Sequence, residues 1–307
     1  MKSLWCVCLL LLSVGISSTV EAAVMLTENK DEKTITVAID GQEFSKYLMS
    51  ADLAKPYMFP VRGADGTVLT RPIQTKEKGQ GDHPHHKGIW VAIDEVGGVK
   101  FWAEAGRIVT RSAEILVAEG NPAQFKVVND WVGKDERTVI RETTTISVFA
   151  HRLLAYDIQF TAGGDQPVEF GDTKEGLFGF RMAESMREKV GGLVTNADGG
   201  KGTVQCWGQT SDWVDYVGPV DGKSFGVAIF DHPLNRRPSR YHVRDYGLFS
   251  VSPFGANAYS NGKRPVEPFS LLPGAKLRLR YALYIHNGNA EQGNVSGVYR
   301  DYLKSGL

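Results

Sequence analysis

Apolar and polar residues alternate along much of this chain, and period-two alternation marks strands with one wet face. The pattern runs through 34–40, 124–132, 138–148, 153–161 and 276–285. The stretch from Thr138 to Ile146 is rich in β-branched residues, and Leu277 to Tyr284 alternates strictly. Gly- and Pro-containing turns separate these segments at 63–66, 97–98, 163–165 and 199–202, as in hairpins and meanders. Helical spacing is found only near the end, where Val295, Val298, Tyr299, Tyr302 and Leu303 share one face. No internal repeat or linker divides the chain, so the expected fold is all-β: one large antiparallel β-sandwich with one short C-terminal helix.

The first residues follow another rule. Met1-Lys2, an apolar run from Leu4 to Ile16, and Val20-Glu21-Ala22 read as a signal peptide over 1–22, leaving 23–307 as the exported domain, periplasmic or extracellular. No later stretch approaches the roughly 20 apolar residues of a membrane-spanning helix. Cleavage would remove Cys6 and Cys8 and leave Cys206, so no intramolecular disulfide is expected, and Cys206 reads as a small buried residue. The 35 basic residues balance 35 acidic ones, which gives no positive field for a nucleic acid.

Candidate chemistry concentrates in Gly79-Gln80-Gly81-Asp82-His83-Pro84-His85-His86-Lys87-Gly88, which holds three of the seven histidines. Flanking glycines permit close approach to a ligand, and imidazoles supply proton-transfer groups or metal ligands. If extended, the segment would set His83 and His85 on one side and His86 on the other. The only metal reading is a divalent ion with His83 and His85 as ligands, since neither His-Glu-x-x-His nor paired Cys-x-x-Cys is present. A second concentration, Phe230 to Tyr246, contains His232, His242 and four arginines; Arg240 and Arg244 are expected to hold an anionic group. In a third, Glu169 to Arg181, Glu175 is the candidate partner acid or base, whereas Asp172 is read as a turn former or an ion-pair partner of Arg181. Trp213 is expected to be an exposed platform for a sugar ring, and the other tryptophans core.

These residues also support a resemblance. Asp82-His83-Pro84-His85-His86-Lys87-Gly88-Ile89-Trp90, Val99 to Glu104, Gly171 to Gly179, Asp231-His232-Pro233 and Tyr241 to Phe249 resemble an exported bacterial family of unknown function, once labelled a methane-oxygenase subunit. Such a subunit belongs in the membrane, and the lack of a later spanning stretch sets that label aside. The resemblance implies a mutarotase-like sandwich and a carbohydrate substrate. The expectation is a carbohydrate-active hydrolase, lyase or epimerase using His83, His85, His86, Glu175, His232 and His242, with Arg240, Arg244 and Trp213 binding an acidic or oxidised sugar. A non-catalytic glycan-binding module is the alternative.

Overall fold

Strand-forming stretches from distant parts of the chain come together in two large sheets. The computed structural model describes residues 23–74 and 82–307; the segment read as a signal peptide and Gly79–Gly81 of the histidine loop lie outside the described residues. In chain order the strands are β1 (Val24–Asn29), β2 (Thr34–Ile39), β3 (Gln42–Leu48), β4 (Tyr57–Met58), β5 (Ile89–Val91), β6 (Arg107–Val117) and β7 (Glu119–Gly120). There follow β8 (Ala123–Val132), β9 (Thr138–Val148), β10 (Leu153–Ala162), β11 (Val168–Phe170), β12 (Phe178–Arg181) and β13 (Leu193–Asn196). The last are β14 (Trp213–Val220), β15 (Lys223–Asp231), β16 (Arg240–Val243), β17 (Leu248–Ser252), β18 (Phe269–Leu271) and β19 (Leu277–Asn287).

Among the described residues one sheet has the order β16-β17-β12-β5-β4-β3-β2-β1-β7 and the other β13-β14-β15-β19-β10-β9-β8-β6, with a small β11-β18 pair. Neighbouring strands pair antiparallel throughout. Alternation decides what each face meets. On β10, Leu154, Tyr156, Ile158 and Phe160 enter the main core, whereas Leu153 and Ala155 join a separate outer cluster. Aromatic contacts close the sandwich: Tyr47 of β3 meets Phe125 of β8 at 5.5 Å, and Phe178 of β12 lies between Tyr156 (4.7 Å) and Tyr281 (5.9 Å).

The predicted C-terminal helix is present as α3 (Val295–Lys304), and two four-residue turns, α1 (Thr203–Cys206) and α2 (Ala256–Tyr259), are too short to leave a periodic signal. In α3, Val295, Tyr299 and Tyr302 cover Trp213, Ala228, Phe230 and Ala282 on the outer face of the eight-stranded sheet. This placement corrects one expectation. Trp213 is only 9% exposed and belongs to that cluster, because the helix covers the face on which an open platform was expected. Cys206 is buried, as expected, and burial raises its thiol pKa to about 11. Among the described residues no helix is long and apolar enough to cross a membrane.

Candidate active site

Four adjacent strands of the nine-stranded sheet set out the floor of the site. Register aligns Trp90 of β5 with Gly179 of β12, Gly179 with Ser250 of β17, and Ser250 with His242 of β16. Their neighbours Phe178, Phe180, Phe249, Val251, Tyr241 and Val243 fill the core, so this row lies on the sheet's opposite face. Two small residues separate an indole from an imidazole. A Cβ on Gly179 would stand 2.7 Å from Trp90 Cζ2, so glycine is what allows the indole to lie over the strand.

The histidine loop folds down beside this row. His83 has φ +51°, and His86 N–H donates to His83 O at 3.0 Å, closing a turn, so the side-by-side arrangement that an extended segment would give does not apply. Instead of dividing between two sides, the three imidazoles converge: ring centroids are 4.8 Å apart for His83–His86, 4.5 Å for His85–His86 and 5.7 Å for His83–His85. Tyr246, His83, His86 and Trp90 form a continuous stack, with steps of 5.1, 4.8 and 5.7 Å.

Two arginines hold the turn. Arg71 donates to Asp82 O (2.7 Å) and His83 O (2.9 Å), while Arg181 lies 3.4 Å from Asp82 Oδ2 and 3.5 Å from His86 Nδ1. A guanidinium only donates, so His86 Nδ1 is the accepting nitrogen. Burial, with His85 and Arg181 nearby, pushes the His86 pKa far below the ordinary imidazole range. His83 Nδ1 contacts Asp82 Oδ1; a carboxylate there favours the Nδ1–H tautomer and leaves Nε2 as the accepting nitrogen.

Glu175, in the bend before β12, and His242, on β16, lie near this loop. The backbone of Glu175 is fixed by Asp94 N–H donating to its carbonyl at 2.9 Å and by its own N–H donating to Thr173 Oγ1 at 3.1 Å. Burial raises its carboxyl pKa; Asp94 adds to the rise, and Lys174, His83 and Arg244 oppose it. His242 Nδ1 donates to Lys174 O at 2.9 Å, which leaves Nε2 bare, and Nδ1 stands 3.9 Å from Glu175 Oε2. Burial lowers the His242 pKa to about 3. It lowers that of His85 to about 4, helped by the nearby Lys55 charge. The site therefore combines a carboxyl that holds its proton more strongly than usual with imidazoles at His85, His86 and His242 whose neutral form is favoured.

Beneath the loop, buried Lys55 donates to Trp102 O and Glu104 Oε1, both at 3.1 Å, and Lys87 reaches Glu104 at 3.4 Å and Pro84 O at 2.8 Å. Burial lowers the Lys55 pKa to about 8, against the pull of Glu104. Around the same face Arg71 Nε, Arg181 Nε, Trp90 Nε1, Trp102 Nε1, Trp207 Nε1 and Ser250 Oγ are buried without a hydrogen-bond partner. Buried polar atoms without a partner call for an explanation, and a bound polar ligand would be one.

Thus His83, His85, His86, Glu175, His242 and Arg244 belong to one cluster. Arg244 lies 5.6 Å over Tyr246, and among the described residues its guanidinium forms no hydrogen bond or ion pair. Arg240 points its Nη1 at Gly208 O, 2.8 Å away. His232 is elsewhere: its Nδ1 accepts from Leu234 N–H at 3.1 Å, its ring meets Tyr302 edge-on, and it lines a separate cleft with Asp198 and Asp212. The Phe230-to-Tyr246 segment thus splits, because β16 carries His242 away from the turn that holds His232. Asp172 accepts the N–H groups of Asn257 (3.0 Å) and Ala258 (2.9 Å), a turn-forming role, and Arg181 pairs with Asp82 and Glu184 instead. Sequence reasoning missed Arg71, Tyr246 and the Lys55–Glu104 pair as parts of the site; of these Tyr246 and Glu104 lay within segments already singled out. Among the described residues no group of three or more His, Cys, Asp or Glu is arranged to hold a metal ion, so His83 and His85 are neighbours without a third such ligand.

The chain is similar in fold to GH36 alpha-galactosidase AgaA from Geobacillus stearothermophilus, with a TM-score of 0.50 at 7% identity over 81% of this chain. It spans 40% of that enzyme's length. It also aligns with galactose 1-epimerase from Lactobacillus acidophilus NCFM, with a TM-score of 0.44 and 9% identity over 87% of this chain and 98% of that one. A GalM/aldose epimerase homologue from C. elegans gives a TM-score of 0.39 and 10% identity, over 87% and 100% of the two chains. At such identities a likeness extends to the fold alone. No curated protein sequence matches the chain. Residues 34–300, which include every strand of the site, match the profile of a family of unknown function, and the chain belongs to that family, DUF6807.

Proposed function

We propose that this protein is an exported carbohydrate-active enzyme that moves a proton on an acidic or oxidised sugar. The observation behind this reading is the convergence of Asp82–His83, Glu175, His242 and Arg244 from separate segments of the chain, three of them loops beside the strand that carries His242. In the reaction, His83 Nε2 takes a proton from the sugar carbon beside the anionic group, with Asp82 orienting the ring. Glu175, whose raised pKa favours the protonated acid, gives its proton to the leaving or neighbouring oxygen. Arg244 holds the carboxylate and stabilises the charge that develops there. Loss of the oxygen substituent makes the enzyme a lyase; return of a proton to the opposite face of the carbon makes it an epimerase. A metal-assisted form would need ligands beyond His83 and His85.

The binding-module alternative is weakened by the burial of Trp213, its main platform. The test is turnover on a panel of uronate glycosides and oligouronates, read by unsaturated product, by reducing ends, and by exchange of the sugar C–H in deuterated water. Turnover that disappears in Glu175→Gln and His83→Ala while binding persists supports the reading. Tight binding with no turnover on any panel member overturns it in favour of a binding module.

A further inference from the structure

Next to the proton-transfer groups is a cleft of whose lining the proposed chemistry uses Arg244 alone. It measures about 590 Å³, within the roughly 300–1,000 Å³ of small-molecule sites, and Lys189, Val204, Trp207, Arg244 and Asp245 line it. Two of these residues join it to the candidate site. Trp207 meets the His242 ring edge-on at 6.4 Å, and Arg244 lies over Tyr246, whose other contacts include the stack on His83.

The wall formed by α1 is unusual in its exposure. Val204 is 93% exposed, although Thr203 and Cys206 in the same turn are buried. Glu188 anchors that turn, accepting Thr203 N–H at 2.8 Å and Thr203 Oγ1–H at 2.5 Å, so the apolar side chain is held outward by a built contact. Val190 and Leu193, on either side of the Gly191-Gly192 bend, are 51% and 46% exposed. Among the described residues the side chains of Lys189, Arg244 and Asp245 form no ion pair or hydrogen bond, leaving charged groups around an apolar surface. A pyranose ring matches this arrangement, with an apolar C–H face for Trp207 and Val204 and a rim of hydroxyls for the charges.

We propose that this cleft is a subsite for the next sugar residue of the same glycan, and hence that the substrate is an oligomer or polymer and not a free monosaccharide. The inference rests on the carbohydrate reading of the His83 site. It is tested by calorimetric titration of the mature protein with ladders, monomer to tetramer, of oligogalacturonate and of cello-oligosaccharide. In at least one ladder affinity should rise about tenfold or more with length, equivalent to roughly 1.4 kcal/mol. Val204→Glu, at a position too exposed to affect folding, should retain monomer affinity and lose that increment; Trp207→Ala should lose it as well. Affinity independent of length overturns the subsite and leaves the His83 reading standing. An increment that survives in both variants overturns it too, and a protein that binds no member of either ladder overturns the subsite together with the reading beneath it.

Discussion

The imidazole of His83 lies parallel to the phenol ring of Tyr246, with centroids 5.1 Å apart and planes within 11°. On its other face is His86, 4.8 Å away and tilted by 14°. The half-exposed catalytic candidate is thus clamped between two rings, one from its own turn and one from a turn more than a hundred residues later in the chain. Tyr246 also lies under Arg181 (5.0 Å) and Arg244 (5.6 Å), so one ring positions the proposed base and both guanidinium groups.

Tyr246→Ala should therefore destabilise the protein by about 1–3 kcal/mol, the range expected for losing a stacked ring and two cation–π contacts, whereas Tyr246→Phe should cost under about 1 kcal/mol. Chemical denaturation measures both. The His83 ring resonances in NMR spectra should shift in the alanine variant and stay near their wild-type positions in the phenylalanine one.

Gly179→Ala should cost about 1–3 kcal/mol by overpacking, because the added methyl meets the Trp90 ring at 2.7 Å. Tryptophan fluorescence should change as the indole shifts. Gly164→Ala, where the added methyl meets nothing within 4 Å, is the control and should leave both stability and emission unchanged.

Glu175→Gln should lower turnover by roughly 10²–10⁴, the usual contribution of a positioned acid. In the wild type, activity should decline as pH rises through the raised pKa of this carboxyl, above the ordinary carboxylate range. That alkaline limb should be absent from the residual activity of the variant, which a pH–rate profile would show.

The buried imidazoles set an acid limit on stability. His242 has a folded pKa of about 3 against about 6.5 in the unfolded chain, so below pH 6.5 the unfolded state binds the extra proton. Stability should fall as pH drops from about 6.5 towards 3, by up to about 1.4 kcal/mol per pH unit from this residue. Asp231, raised by burial to about 6, acts with the opposite sign between about pH 4 and 6. Comparing wild type with His242→Asn isolates the histidine: the variant should show the shallower loss on acidification, measured by urea denaturation at several pH values.

Trp213→Ala should cost about 3–5 kcal/mol, the range for deleting a buried aromatic, and loosen α3. Affinity for any sugar that binds the His83 site should not change. A large loss of affinity with stability intact would return Trp213 to the exposed role its sequence context suggested.

The strands at 138–148 and 153–161 were legible because each alternates over many residues, and every second position announces a buried face. The same holds for α3, whose apolar positions recur at helical spacing. The histidine loop was visible as a cluster, but its conformation was not. His83 in the left-handed region and a turn closed at His86 depend on Arg71 and Arg181, which reach it from outside the loop.

By itself, then, the sequence determined the all-β class, the main strands, the C-terminal helix, and the segments 79–88, 169–181 and 230–246 as chemically dense, His232 among them. Local spacing encodes these, since alternation and composition act over a few residues. The tertiary structure alone decided that Trp90, Gly179, Ser250 and His242 form one row, that Tyr246 clamps His83, and that α3 buries Trp213 while His232 faces another cleft. Such pairings depend on strand register and on which element covers which face, and these are settled by packing between residues far apart in the chain.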